Sequence, residues 1–233
     1  MIDMTDLEDY KVDFEKFGHY YHRNMAVPRV TEILSKTIHE DFIVYWANSL
    51  GFKGQGYKKT LSTYAEYGSI VHKAIQDFIL DGVKPQIPNI SVLAFMDWWE
   101  ILNKNHKINV LGVEQKLTCP WFGGTYDLQL QIDDKKYLID FKTSNNISFK
   151  YCLQLAAYNY MLYYNGQEPV NGFIILQLSK VYREFHEYLY NMDNPVHANF
   201  FNKCEASFMF LVEAFYRTLY LEQEFRKING GEK

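Results

Sequence analysis

The chain is 233 residues long, with 48% hydrophobic residues, 22% charged residues and a formal net charge of -4. That supply of apolar side chains suffices for one substantial core with embellishments, and no second domain is required. The slight negative balance weighs against a protein that grips duplex DNA nonspecifically, because such binding rests on many cationic phosphate contacts. No apolar run is long enough for a membrane span, and no charged-then-apolar start resembles a signal peptide.

In chain order, hydrophobic periodicity predicts helices over 31–48, 60–80 and 89–105, which make 1–107 a mainly helical portion. Strands follow over 109–118 and 125–132, and Asp133-Asp134-Lys135 supplies the turn into a third strand ending in Asp140-Phe141-Lys142. Ser148 is placed to cap a helix running to about residue 164, where Asn165-Gly166 stops it. Two later strands are expected over 171–179 and 182–190. Asn194-Pro195 then reads as a cap and first helical residue, opening a long helix to about residue 227. The outcome is a single α/β domain over 1–233, with its sheet core over 108–190 and a C-terminal helix within 191–233. No internal repeat or low-complexity segment stands out.

The chemistry concentrates at the strand ends. Side chains alternate along a strand, so Asp140 and Lys142 project together while Phe141 faces the other way. On the preceding strand Thr125, Asp127, Gln129 and Gln131 fall on one side, and Tyr126, Leu128, Leu130 and Ile132 on the other, so Asp127 can face Asp140. Two carboxylates with their waters make a hard, all-oxygen site suited to Mg²⁺ or Mn²⁺. A phosphodiester under attack by water gathers negative charge that such a metal and a nearby lysine can receive. On the helix that follows, Gln154 and Tyr158 sit four apart on one face, beside Lys150. Each piece alone has a plainer reading: a solvated strand end, or an amphipathic helix with a polar edge.

Taken together, Gly124-Thr125-Tyr126-Asp127, Asp140-Phe141-Lys142 and Gln154-Leu155-Ala156-Ala157-Tyr158 resemble the PD-(D/E)XK nuclease superfamily, in its RecB-like exonuclease branch. That branch includes the nuclease domains of bacterial recombination helicases, CRISPR-associated adaptation nucleases and the mitochondrial genome-maintenance exonuclease. Gly68-Ser69-Ile70-Val71-His72 resembles its upstream helical motif, and Val113-Glu114-Gln115-Lys116 its first core strand with an acidic residue. The match runs from about residue 68 to residue 158, and its order and spacing are more specific than any one piece.

The resemblance implies a restriction-endonuclease-like mixed-sheet core in βββαβ order. It assigns His72, Asp127 and Asp140 to the metal, with the Phe141 carbonyl as a further ligand, and makes Lys142 the catalytic lysine. Glu114 would position water, hold a second metal or support Lys142, whereas Gln154 and Tyr158 would contact the substrate backbone or brace the lysine. Tyr126 stands where the literal motif has proline. The implied activity is Mg²⁺- or Mn²⁺-dependent DNA exonuclease cleavage in recombination, repair or replication. Single-strand preference and a phage source are carried by analogy alone. The implied setting is the cytoplasm of a bacterial or phage-infected cell, with DNA bearing a free end as partner and a homo-oligomer or a recombination or replication protein as a further one.

Several residues are read without the resemblance. Gly51-Phe52-Lys53-Gly54 and Tyr57-Lys58-Lys59 mix cations, rings and glycine, which suits either a single strand or a mobile linker between helices. His72 lies at the edge of an apolar side formed by Ile70, Val71, Ala74, Ile75, Phe78 and Ile79, where a packing role competes with ligation. Glu114 and Lys116 could form a surface charge pair, and His19 and His22 could touch DNA or merely belong to a polar segment. Of the chain's 17% aromatic residues, Phe200, Phe201, Phe208, Phe210, Phe215, Tyr216 and Tyr220 on the last helix are core or interface candidates. Cys119, Cys152 and Cys204 show no zinc spacing and read as reduced packing residues, too few for a four-cysteine iron-sulfur site. The competing functions are a structure-selective endonuclease, a noncatalytic nucleic-acid-binding or assembly module, and a glycosidase using Asp127 and Asp140 as acid and base. The last leaves Lys142 unexplained.

Overall fold

The computed structural model describes residues 7, 10, 12, 14, 19–84 and 89–230, with the side chains of 41–43 outside that set. An antiparallel hairpin of β1 (His19–His22) and β2 (Met25–Pro28) precedes the helices. Its turn residues Arg23 and Asn24 have φ of 46° and 69°, the left-handed pair that a two-residue hairpin turn needs. Four-residue strands are too short to carry an alternation signal, so this hairpin was not legible within a segment expected to be mainly helical.

The helix expected over 31–48 is two helices, α1 (Val30–Thr37) and α2 (Asp41–Phe52). Between them the Ile38 carbonyl accepts from Lys150 Nζ at 2.9 Å, and the same ammonium lies 3.1 Å from Glu40. A distant lysine thus satisfies a carbonyl that a continuous helix would have given to its own backbone. The helices α3 (Tyr57–Asp81) and α4 (Ile90–Asn105) follow, the latter capped by Asn89 Oδ1 accepting from the amides of Ser91 and Val92. Only Lys53 to Gly56 separate α2 from α3, and Lys58 and Lys59 belong to the first turn of α3. On α3, Val71 and Ile75 are buried, but Ile70 points to solvent instead of joining them.

Strands β3 (Ile108–Thr118), β4 (Gly123–Ile132), β5 (Lys135–Lys142), β6 (Gly172–Leu178) and β7 (Phe185–Asn191) form one sheet in that spatial order. Only β5 and β6 pair in parallel, because α5 (Lys150–Tyr164) carries the chain across one face between them. The last strand starts later than expected: Ser179 Oγ accepts from the amides of Val181 and Tyr182, folding Tyr182 into a turn. Finally α6 (Pro195–Ile228) begins at Asn194, whose side chain accepts from the Val196 amide.

Both faces of the sheet are covered. Leu138, Phe173 and Ile175 pack under α1, α5 and α6, whereas Leu128, Leu130, Ile139, Ile174 and Leu176 pack under α3 and α4. Burial on both sides explains why β5 and β6 read as continuous apolar runs. On α6, Phe201, Phe208, Phe215 and Tyr216 enter the core, and Phe201 stacks on Phe173 with centroids 4.0 Å apart. Each such ring contributes on the order of 2 kcal/mol through burial. Phe200 and Phe210 on the same helix are exposed. The three cysteines are buried and unpaired by disulfides. Among the described residues, no helix is long and apolar enough to cross a membrane.

Candidate active site

Strands β4 and β5 pair from Ile132 and Lys135 as far as Leu128 and Ile139. Beyond that point Asp127 Oδ2 accepts the Phe141 amide at 2.6 Å, so a carboxylate stands in for a backbone carbonyl of the ladder. The expected alternation of β4 breaks at the same place. Leu128 and Leu130 face α3 and α4, but Tyr126 lies on the opposite side, its hydroxyl 3.0 Å from Gln115 Oε1 and 3.3 Å from Gln129 Oε1. Tyr126 therefore shares a side with Gln129 and not with Leu128. The Asp127 carboxylate lies between the two faces.

Asp140 and Lys142 do keep the two-residue period of β5. Lys142 Nζ donates to Asp140 Oδ1 at 2.9 Å and lies 2.7 Å from the buried Oδ2, so the ammonium engages both carboxylate oxygens. The Asp140 side chain is only 1% exposed. From α5, Gln154 Oε1 accepts from Lys142 Nζ at 3.4 Å, and Gln154 Nε2 donates to the Tyr158 hydroxyl at 2.9 Å. The Lys142 ammonium also sits 4.5 Å from the centroid of the Tyr151 ring. Gly123 and Gly124 let two tyrosines close over β4: a Cβ at Gly124 would stand 2.5 Å from Tyr158 Cε1, and one at Gly123 would stand 2.6 Å from Tyr20 Cβ.

From the other side α3 brings His72. Its Nε2 donates to the Phe141 carbonyl at 3.1 Å, and its Nδ1 lies 3.3 Å from Asp127 Oδ1 and 3.4 Å from Glu114 Oε1. Glu114 adopts φ of 48° within β3, a left-handed conformation that costs a non-glycine residue about 1 kcal/mol or more. Its carboxylate faces His72, and no ion pair joins it to Lys116 among the described residues. One ligand atom from each of His72, Glu114 and Asp127 lies within 4.8 Å of the other two. Asp140, expected in this set, is turned to Lys142, and the Phe141 carbonyl, expected as a further ligand, is held by His72.

The electrostatics reflect crowding of charge in a buried place. Burial alone would depress the His72 imidazole, but the Asp127 charge and hydrogen bonds to Asp127 and Glu114 outweigh it and raise its pKa to about 10. Burial likewise opposes ionisation of Asp127, yet the His72 and Lys142 charges hold its pKa below the ordinary value. Asp140 is pushed up to about 6 by burial, with the Asp127 charge adding to that and Lys142 opposing it. The Lys142 ammonium would lose its proton more readily through burial, but Asp140 and Asp127 overcome this and hold the proton on it. Imidazolium and ammonium thereby neutralise the carboxylates. The donor set of His72, Glu114 and Asp127 fits a hard divalent cation: carboxylate oxygens predominate and one imidazole joins them.

Other expectations separate from this centre. Lys59 lies thirteen positions before His72 on α3, about 20 Å along the axis at 1.5 Å per residue, and Lys53 and Lys58 are farther back in the chain. Lys150, beside Gln154 in the helical projection, is engaged by Glu40 and Ile38. His22 is buried with its Nδ1 3.2 Å from Thr118 Oγ1, and burial followed by the Arg23 charge lowers its pKa. Tyr20 and Tyr151 escaped the sequence reading. Tyr20 reaches Thr125 Oγ1 at 2.8 Å from a hairpin with no periodic signal, and Tyr151 was one of nineteen tyrosines with nothing local to mark it.

A scan against protein-family models and a search of curated proteins give no match. Among solved structures, the chain is similar to SSO0001 at 14% identity and a TM-score of 0.35, over 91% of this chain and 86% of that one. It is similar to an alkaline exonuclease, LHK-Exo, from Laribacter hongkongensis at 13% identity and a TM-score of 0.32, over 69% and 86% of the two chains. A phage-related exonuclease from Haemophilus somnus 129PT gives 13% identity and a TM-score of 0.34, over 66% and 82%. These are distant likenesses of fold, and they carry no argument about chemistry. That argument rests on the side chains.

Proposed function

We propose that this protein is a Mg²⁺- or Mn²⁺-dependent deoxyribonuclease, a single domain acting as an exonuclease on DNA that is single-stranded or has a free end. One observation carries the reading: a buried Asp140–Lys142 pair and a His72, Glu114 and Asp127 ligand set meet at the same opened end of β4 and β5. A charge pair serving only the core would leave the ligand set and the strained Glu114 without a reason. A glycosidase would leave Lys142 without one. Recombination, repair or replication is the setting that suits such an activity.

His72, Glu114 and Asp127 would hold the cation, with the Asp140 carboxylate adjoining them beside Lys142. When bound, the metal supplies positive charge to the phosphate and makes the attacking water more acidic. Lys142, kept as an ammonium by Asp140 and Asp127, donates hydrogen bonds and steadies the charge that gathers on the phosphate oxygens. Gln154 fixes the Lys142 Nζ from one end while Tyr158 anchors its other end. Burial raises the Tyr158 phenol well above its usual range, so it stays protonated. Its oxygen accepts from Gln154, so this buried pair braces Lys142 from α5.

The test uses DNA labelled separately at each end, single- and double-stranded, with Mn²⁺, Mg²⁺ or EDTA, for the intact protein and Lys142→Ala. Metal-dependent shortening from one end, abolished in the variant, is the expected result. Internal cuts in circular DNA would replace exonuclease with endonuclease. DNA binding without cleavage under any metal would overturn the enzymatic reading and leave a noncatalytic nucleic-acid module.

A further inference from the structure

Two turns before His72 on α3, about 12 Å along the axis, Tyr64 belongs to an aromatic cluster that the hydrolytic centre does not use. Its ring stacks against Trp46 of α2, with centroids 6.0 Å apart and planes 24° apart, and Trp46 meets Tyr57 edge-on at 5.6 Å. The ammonium of Lys180, in the loop between β6 and β7, lies 4.1 Å from the centroid of the Tyr64 ring. Despite these neighbours Tyr64 remains 47% exposed. Lys180 forms no ion pair with a carboxylate among the described residues, although acids outnumber bases in the chain by 28 to 24.

Gly68 and Thr143 lie between this cluster and the hydrolytic centre. Gly68 lies one turn from Tyr64 and one turn from His72, and a Cβ there would stand 3.7 Å from Thr143 Oγ1, immediately after Lys142. Tyr64 and the end of β5 therefore flank the same stretch of α3, with the Thr143 side chain packed between them. Packing of α2 on α3 accounts for the Trp46 contact. It does not account for a half-exposed ring with an unneutralised ammonium over it, which is the pairing that receives a flat base and its phosphate.

We infer that Trp46, Tyr64 and Lys180 form a stacking subsite for one base of single-stranded DNA, a short distance along the strand from the bond to be cut. The Lys180 ammonium covers the Tyr64 ring in the free protein, and it swings to the adjoining phosphate as a base stacks on the ring in its place. A base inside a duplex already has neighbours on both faces, so the subsite selects single strands or frayed ends. The inference rests on the nuclease reading only for the direction of the strand toward Lys142.

The test is a binding series with the intact protein in EDTA, so that no cleavage intrudes. Fluorescent single-stranded oligonucleotides carry one abasic position, stepped along the strand. The expected result is a loss of about tenfold or more at one position. Tyr64→Ala should lose a similar amount on the unmodified strand and become indifferent to that position, while Tyr64→Phe keeps both affinity and sensitivity. Lys180→Gln, on the loop after β6, should lower the salt dependence of binding by about one phosphate contact. Equal affinity for every abasic position, or unchanged binding by Tyr64→Ala and Lys180→Gln with wild-type melting, would overturn the subsite. Metal-dependent cleavage is read separately: a position-specific effect without cleavage keeps the subsite and removes the nuclease.

Discussion

Replacing Gly124 with alanine adds one methyl group where β4 and the Tyr158 ring touch. The new carbon would stand 2.5 Å from Tyr158 Cε1 and 3.4 Å from Cδ1 and Cζ, when carbon atoms rest comfortably at about 3.5–4.0 Å. Tyr158 is 3% exposed and its hydroxyl is tied to Gln154, so the ring has no open space to swing into. Overpacking of this kind costs about 1–3 kcal/mol. For a chain of this length that is a fall of roughly 2–12 °C in melting temperature. Because Tyr158 anchors Gln154, and Gln154 holds Lys142, cleavage should fall further than the unfolded fraction explains. Thermal melts of Gly124→Ala, Tyr158→Ala and the double variant check the argument. Removing the ring should relieve the clash, giving a coupling of at least about 0.5 kcal/mol. A Gly124→Ala protein that melts like the wild type, or two penalties that simply add, would refute the close approach.

Lys142→Met should abolish cleavage and destabilise the fold by up to about 3–5 kcal/mol, because Asp140 loses its partner in a buried place. The Asp140 pKa, already about 6 against an ordinary 3.8, should then rise further, so the native state holds more protons than the unfolded one. Stability of this variant in EDTA should therefore fall with increasing pH through that window, and Lys142→Met/Asp140→Asn should flatten the slope; chemical denaturation at several pH values measures both. Mn²⁺ at about one hundred times its dissociation constant should add about 2.7 kcal/mol by mass action, an effect that Asp127→Asn removes and that calorimetry reads directly. The Cys119 and Cys204 thiols, each pushed up to about 12 mainly by burial, should resist alkylation at pH 8 in the native protein and react on unfolding. Rapid native labelling, followed by mass spectrometry, would contradict their burial.

Local spacing in the sequence determined a good deal of this protein. Asn89 and Asn194 mark helix starts because an Asn side chain satisfies amides two or three positions on. The order of strands around α5 follows from period and turn chemistry, and Asp140 and Lys142 share a side because a strand repeats every second residue. Gln154 and Tyr158 meet because a helix brings together residues four apart. Contacts between distant parts of the chain decided the rest. Lys150 takes the Ile38 carbonyl and divides what periodicity reads as one helix, and Ser179 folds Tyr182 out of the last strand. Asp127 enters the ladder of its neighbour, which breaks the alternation that placed Tyr126 beside Leu128. His72 meets Phe141 across 69 positions, and Glu114 turns toward the same imidazole through a backbone angle that no residue type announces. Periodicity records which face a side chain takes within its own element. Which faces meet is fixed only when the elements pack, and the candidate centre lies where two of them part.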